Sequence, residues 1–194
     1  MRFADAKPRM RLPVRPNSSS RGFTLIELMI TVVIMAVLAT VAVYGVTRYI
    51  AQAKTSEATR MLGDIKSAQE EYKNEHGSYL DVTGDLATFY PTNPDPGQVK
   101  VAWGAGGTIG AKFQALSVNA AGPVLFQYAC SAGTATEIPD AVGSDITIGN
   151  WPSAAIDQPW YAVKAVADLR KGGNKTVYVA ASFTNQIFSA HEGE

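Results

Sequence analysis

Apolar and polar positions fall into three regimes along the chain. Over residues 23–44 almost every position is apolar, with Thr24, Thr31 and Thr40 as mild interruptions and Glu27 as the only charge. As a helix this stretch spans about 33 Å at roughly 1.5 Å per residue, enough to cross a hydrocarbon core of about 30 Å. The helical period continues beyond it. Val46, Ile50 and Ala53 extend one face, and after a phase slip Ala58, Met61, Ile65, Ala68 and Tyr72 repeat it at 3-4-3-4 spacing. Glu57, Arg60, Asp64, Lys66, Glu70 and Lys73 fill the opposite face. Lys66–Glu70 and Glu70–Lys73 are spaced for intrahelical ion pairs. Gly77 is a natural stop, and His76 just before it suits a helix C-terminus. One helix over 23–76 follows, roughly 80 Å long, apolar all round in its first half and amphipathic over 45–76.

Past Gly77 the pattern changes. Residues 78–97 are turn-rich, with Pro91, Pro94 and Pro96, and read as a connecting loop. Short strand signals follow over 98–103, 111–118, 124–129, 160–167 and 176–183. Lys171-Gly172-Gly173-Asn174 lies between the last two and reads as a hairpin turn. An antiparallel sheet with one apolar face needs a cover, which the amphipathic half-helix supplies. The expected fold class is α+β: a long N-terminal helix packed on a C-terminal antiparallel sheet built from residues 77–194.

Charge sharpens the N-terminal reading. Six Lys or Arg precede Phe23 against one acid, Asp5, whereas the remainder holds eleven basic and sixteen acidic side chains. Basic residues on the N-terminal flank hold that side in the cytoplasm and send the C-terminal part across the membrane. Pro8, Pro13, Pro16 and the Ser18–Ser20 run make residues 1–22 a poor helix and a disposable leader; initiation at Met10 would shorten it without moving its end. The mildly acidic remainder has no basic cluster, so nucleic acid has no electrostatic footprint here. Cys130 is the only cysteine, which rules out an intrachain disulfide and a cysteine metal site. Its apolar run reads as a buried strand. Glu27 stands out because a carboxylate within a bilayer costs roughly 2.5–3.5 kcal/mol and should have a partner.

The stretch Arg21-Gly22-Phe23-Thr24-Leu25-Ile26-Glu27 resembles the prepilin leader motif of the type IV pilin and pseudopilin superfamily, in which a basic residue, Gly, Phe and Thr-Leu-x-Glu open an apolar helix. The resemblance implies the pilin fold. It implies cleavage between Gly22 and Phe23 by a prepilin peptidase, and N-methylation of the new Phe23 amine. It also implies that Glu27, fifth in the mature chain, pairs with the N-terminal amine of a neighbouring subunit during filament assembly. The physics agrees: burying the amine or the carboxylate alone is costly, and pairing them offsets part of that cost. A subunit waiting in the membrane then carries an incompletely satisfied charge. The implied partners are other pilin copies, the peptidase, an inner-membrane assembly platform and the lipid bilayer. The implied location is the inner membrane, N-terminus cytoplasmic and head periplasmic, and then a surface filament. Major pilins of the family have Gly and Pro where this chain has Ala36 and Tyr44, a departure that tilts the reading toward a minor subunit. The superfamily also contains the pseudopilins of type II secretion systems. From another class, a signal-anchored periplasmic enzyme or binding protein shares the apolar run but not the motif.

Other stretches offer no chemistry of their own. Trp103–Gly110 is glycine-rich but lacks the Lys-Ser/Thr pair and helix of a phosphate loop, so a flexible hairpin loop is expected. Residues 167–174 are similar to calcium loops of some pilin-like proteins, but Arg170 and Lys171 stand where acids are needed, and no metal or other cofactor is assigned. His76 and His191 have no ligand spacing, and Glu70, Glu71 and Glu75 read as a solvated face. Trp103, Trp151 and Trp160 read as core or edge aromatics. Residues 151–160 read as an exposed loop that varies the surface. No nucleophile–base spacing points to an enzyme.

Overall fold

The computed structural model describes residues 22–104, 106–170, 172 and 174–192. Most of the leader, including Arg21, and Lys171 and Gly173 of the expected hairpin turn lie outside the described residues. The long helix, α1, runs Leu25–His76 as the apolar period demands. The chain divides into two compact units, residues 1–42 and 43–194.

In the first unit the described residues are α1 and its start. Leu25–Val43 is long and apolar enough to cross a membrane, and every one of its residues is exposed. Such a surface has no cover of its own, which in water would be strongly unfavourable.

The second unit holds the rest of α1, then α2 (Gly107–Ala115), β1 (Gln127–Gly133), β2 (Trp160–Ala167), β3 (Thr176–Ala181) and β4 (Thr184–Ala190). The strands form one antiparallel sheet in chain order, β1-β2-β3-β4. Ala58, Met61, Leu62 and Ile65 of α1 are buried against Tyr128, Cys130, Tyr161, Val163, Ala165 and Tyr178. Alternate residues of those strands therefore face the helix, the period-2 logic of a half-covered sheet. The helix ends at Gly77, whose φ of 78° an L side chain would resist; its N–H donates to the Lys73 carbonyl at 2.8 Å. Buried Gln69 then fixes the return of the chain: its amide donates to the Leu80 carbonyl at 2.7 Å and accepts from the Leu80 N–H at 3.0 Å. The spacing that predicted a Glu70–Lys73 ion pair is used differently. Lys73 Nζ donates to Tyr79 Oη at 3.1 Å, and that hydroxyl donates to Glu70 at 3.0 Å.

Three strand expectations fail. Residues 103–118, expected as a flexible loop and a strand, contain α2 instead. Ile109, Phe113 and Leu116 fall on one helical face, with Phe113 and Leu116 buried. The helix closes with a Schellman pattern at Ser117 (φ 59°): Val118 N–H donates to Phe113 O at 3.0 Å and Ser117 N–H to Gln114 O at 2.9 Å. Residues 98–103 contribute only isolated bridges, Val101 exchanging bonds of 2.9 and 2.8 Å with Val124. The strand expected over 124–129 begins at Gln127, because the Leu125 and Phe126 N–H groups donate to Glu57 Oε1 of α1 at 2.7 and 3.2 Å. The final strand signal, over 176–183, appears as β3, which ends in a turn at 182–183; β4 follows it and carried no signal of its own. The polar start of β4, Thr184-Asn185-Gln186, masked it.

The sheet is also covered on its second face. Trp160, Ala162, Val166, Val177 and Val179 are buried beneath Leu86, Val142 and Ile146, with Trp151 and Ile156 packed alongside. β2 and β3 are consequently buried along their whole length. The segment 134–159 forms this second layer, so the stretch 151–160, expected to be an exposed loop, in part packs on the sheet. Its anchors are polar. Lys164, only 3% exposed, donates to the Val142 carbonyl at 2.6 Å and pairs with Asp145 at 3.3 Å. The Ser131 hydroxyl donates to Asp140, and the Trp151 indole to the Asp140 carbonyl at 2.9 Å.

Burial holds protons on several core groups. It pushes the Cys130 thiol up to about 12, only partly opposed by the Gln69 amide 3.1 Å from its sulfur. It pushes the Tyr178 hydroxyl to about 12 as well, and raises Tyr128 and Tyr161. In the unfolded chain these groups ionise near about 8.5 (Cys) and 10 (Tyr). Above those values the unfolded state binds fewer protons than the folded one, so stability is intact below about pH 8.5 and falls as pH rises toward 12. Urea unfolding of the detergent-solubilised chain, followed by tryptophan emission, should show this loss. A thiol reagent at pH 8 should modify Cys130 only after unfolding. A flat alkaline profile with a reactive native thiol would contradict the packing described.

Candidate functional site

The site residues indicated by the motif lie at the start of α1. Gly22 is exposed, with open space around it, and Phe23 is 78% exposed. The helix begins at Leu25, which makes Thr24 its N-cap and Glu27 the third helical residue. Glu27 N–H donates to Thr24 Oγ1 at 3.3 Å. Thr24 in turn donates to Glu27 Oε2 from its hydroxyl at 3.3 Å and from its backbone N–H at 3.5 Å. This is a capping box, which satisfies helix-end donors that have no intrahelical partner. The acid also sits where the helix dipole favours a negative charge. All these distances are at the long end for hydrogen bonds, and all three involve Oε2 or the Thr24 hydroxyl. The carboxylate is therefore partnered, but not saturated.

The other described hydroxyls of Leu25–Val43 are satisfied within their own helix. Thr31 and Thr40 donate to the carbonyls of Leu28 and Val37 at 2.9 and 2.7 Å. Among the described polar side chains of Leu25–Val43, Glu27 is thus the one whose full satisfaction requires something beyond its own helix. Thr24 was not singled out by the sequence reading, although Thr-x-x-Glu before an apolar run is a recognisable capping signal.

The second unit places the other candidate residues in structural roles. All three indole N–H groups end on backbone carbonyls: Trp103 on Val118, Trp151 on Asp140 and Trp160 on Glu137. His76 lies against Tyr72, ring centroids 4.0 Å apart, with Nδ1 3.1 Å from the Tyr72 carbonyl. Asp168 accepts the Gly172 N–H at 3.0 Å, closing the turn that joins β2 and β3. The glycine-rich stretch does lead into a helix, contrary to expectation, but α2 has no side-chain cap and no Lys-Ser/Thr pair.

The profile of the prokaryotic N-terminal methylation motif matches residues 17–43. Over a longer stretch, the chain is 31% identical to the type IV major pilin protein PilA of Myxococcus xanthus, covering 73% of this chain and 70% of that one. The chain belongs to the type IV pilin family. A type IV major pilin protein PilE1 of Neisseria gonorrhoeae is 35% identical over 53% of this pilin and 58% of its own length. The fimbrial protein EcpC of Eikenella corrodens is 42% identical over 29% of this pilin and 37% of its own length. No solved structure is significantly similar to the chain. These relatives are structural subunits and not enzymes, and membership of the family implies assembly into filaments of pilin copies. The motif together with the exposed apolar helix fits a subunit anchored in a membrane and later carried in a pilus.

Proposed function

We propose that this pilin is synthesised with a leader over 1–22, cut between Gly22 and Phe23 by a prepilin peptidase, methylated on the Phe23 amine and polymerised through its N-terminal helix. Residues 23–44 form the transmembrane and assembly segment, 45–76 the amphipathic stem, and 77–194 the loop and sheet of the head. The subunit waits in the inner membrane with its N-terminus cytoplasmic and its head periplasmic. An assembly platform there passes it to the filament. Glu27 pairs with the Phe23 amine of a neighbouring copy.

The observation that carries this reading is Glu27 itself, a half-satisfied carboxylate in a segment, Leu25–Val43, that is otherwise uncharged and exposed. Lipid offers the apolar surface a solvent but offers the charge nothing. A cationic amine brought by a second subunit supplies the missing partner.

Two outcomes follow. Gly22→Val puts a branched side chain at the scissile junction and should leave a precursor heavier by the whole leader, read by intact-mass measurement; normal maturation of this variant would remove the cleavage assignment. Glu27→Leu should insert into the membrane at least as well as the parent, because it removes a residue costing roughly 2.5–3.5 kcal/mol there. It should also leave the head folded. As the sole copy in cells with the native machinery it should accumulate as processed monomer and give few sheared filaments. Full filament yield would refute the pairing role.

A further inference from the structure

We propose that the head carries a binding site for neutral carbohydrate in the cleft between the 148–151 turn and the start of β4. The cleft has a volume of about 310 Å³, within the range of about 300–1,000 Å³ that small-molecule sites occupy. Three rings, Trp151, Phe183 and Phe188, and three polar side chains, Asn150, Thr184 and Gln186, line it. None of its lining residues is charged.

The aromatic wall is fixed in advance. The Trp151 N–H donates to the Ile148 carbonyl at 3.2 Å and closes the turn that contains Asn150. The Trp151 indole, tied to the Asp140 carbonyl at 2.9 Å, stands edge-on to Phe183 with ring centroids 5.0 Å apart. A wall held this way loses little freedom when a ligand arrives. On the opposite side β4 leaves its register. Val179 pairs with Phe188 and Ala181 with Thr184, so one residue of β3, Ala180, faces three of β4, Asn185, Gln186 and Ile187. A bulge of this kind re-aims side chains. Gln186 lines this cleft, whereas Asn185 lines a separate one against α1. Asn150 and Gln186 are exposed, and their carboxamides make no hydrogen bond among the described residues.

The lining selects the ligand by chemistry. An ionic ligand would find no counter-charge in the cleft, and a wholly apolar one would cover two carboxamides without giving them partners. A ring sugar meets both kinds of surface. Its hydroxyls donate to the carbonyl and accept from the amine of each carboxamide. Its C–H face lies against the negative face of an aromatic ring. The site uses the head alone and is independent of the assembly reading above.

The test uses the full chain in a zwitterionic detergent that has no sugar headgroup. The probes are maltose, lactose and N,N′-diacetylchitobiose, followed by saturation transfer from protein to sugar protons in NMR. At least one of the three should receive saturation, whereas mannitol, which has hydroxyls but no rigid C–H face, should receive none. Asn150→Ala with Gln186→Ala should weaken binding by roughly ten- to thirtyfold, the scale of two lost hydrogen bonds between neutral groups. Both positions are exposed, so the tryptophan emission of this variant should match the parent's. Asn185→Ala, on the other cleft, should bind within about twofold of the parent. No transfer to any of the three sugars overturns the proposal. So does a double variant that binds like the parent, or an Asn185→Ala variant that loses as much as the double one. Transfer to phenol with none to the sugars would make the cleft an aromatic pocket and overturns it as well.

Discussion

A charge on an otherwise apolar helix must be satisfied by something, and lipid cannot do it. In the proposed assembly Glu27 meets this constraint in two stages. Within one subunit the capping box with Thr24 gives it partial relief through long bonds to a single oxygen. The remainder is, on that proposal, left for a second subunit. An unsatisfied charge would make insertion too costly, whereas a saturated one would have nothing to gain from docking. Under the proposed assembly the apolar surface of Leu25–Val43 serves in two settings, first against lipid and then against other copies of the same surface, with no change in its chemistry.

The head answers a different constraint. Its sheet is apolar on both faces, so one amphipathic helix cannot bury it. Ala58, Met61, Leu62 and Ile65 cover one side, and residues of 134–159 cover the other with little regular structure of their own. A cover without a backbone ladder needs other anchors. Lys164 is the deepest of them, a buried ammonium whose Asp145 and Val142 partners both come from that covering segment. Removing one partner of such a buried charge costs more than the pair contributes, so this contact ties the second layer to the sheet.

How far the sequence discloses all this depends on the range of the forces involved. The period of α1 over 58–72, the stop at Gly77 and the strand at 160–167 are dictated locally, and they appear where the pattern puts them. α2 escaped because its glycines at 104, 106, 107 and 110 outweighed the helical spacing of Ile109, Phe113 and Leu116. The start of β1 was misplaced because Glu57, nearly seventy positions earlier in the chain, takes the Leu125 and Phe126 N–H groups. β4 is polar and edge-like, and pairing with β3 defines it more than its own residues do. At the N-terminus the motif and its apolar helix were legible, since acid and apolar run are fixed offsets in one segment. The cap at Thr24 was legible too, as Thr-x-x-Glu before an apolar run.

The most direct test of the central claim is the intact mass and N-terminal fragmentation of this chain taken from sheared surface filaments. The account predicts a subunit that begins at Phe23, carries one methyl group on its amine and contains nothing upstream. A filament subunit that retains residues before Phe23 would contradict it, because the amine proposed to meet Glu27 would not exist.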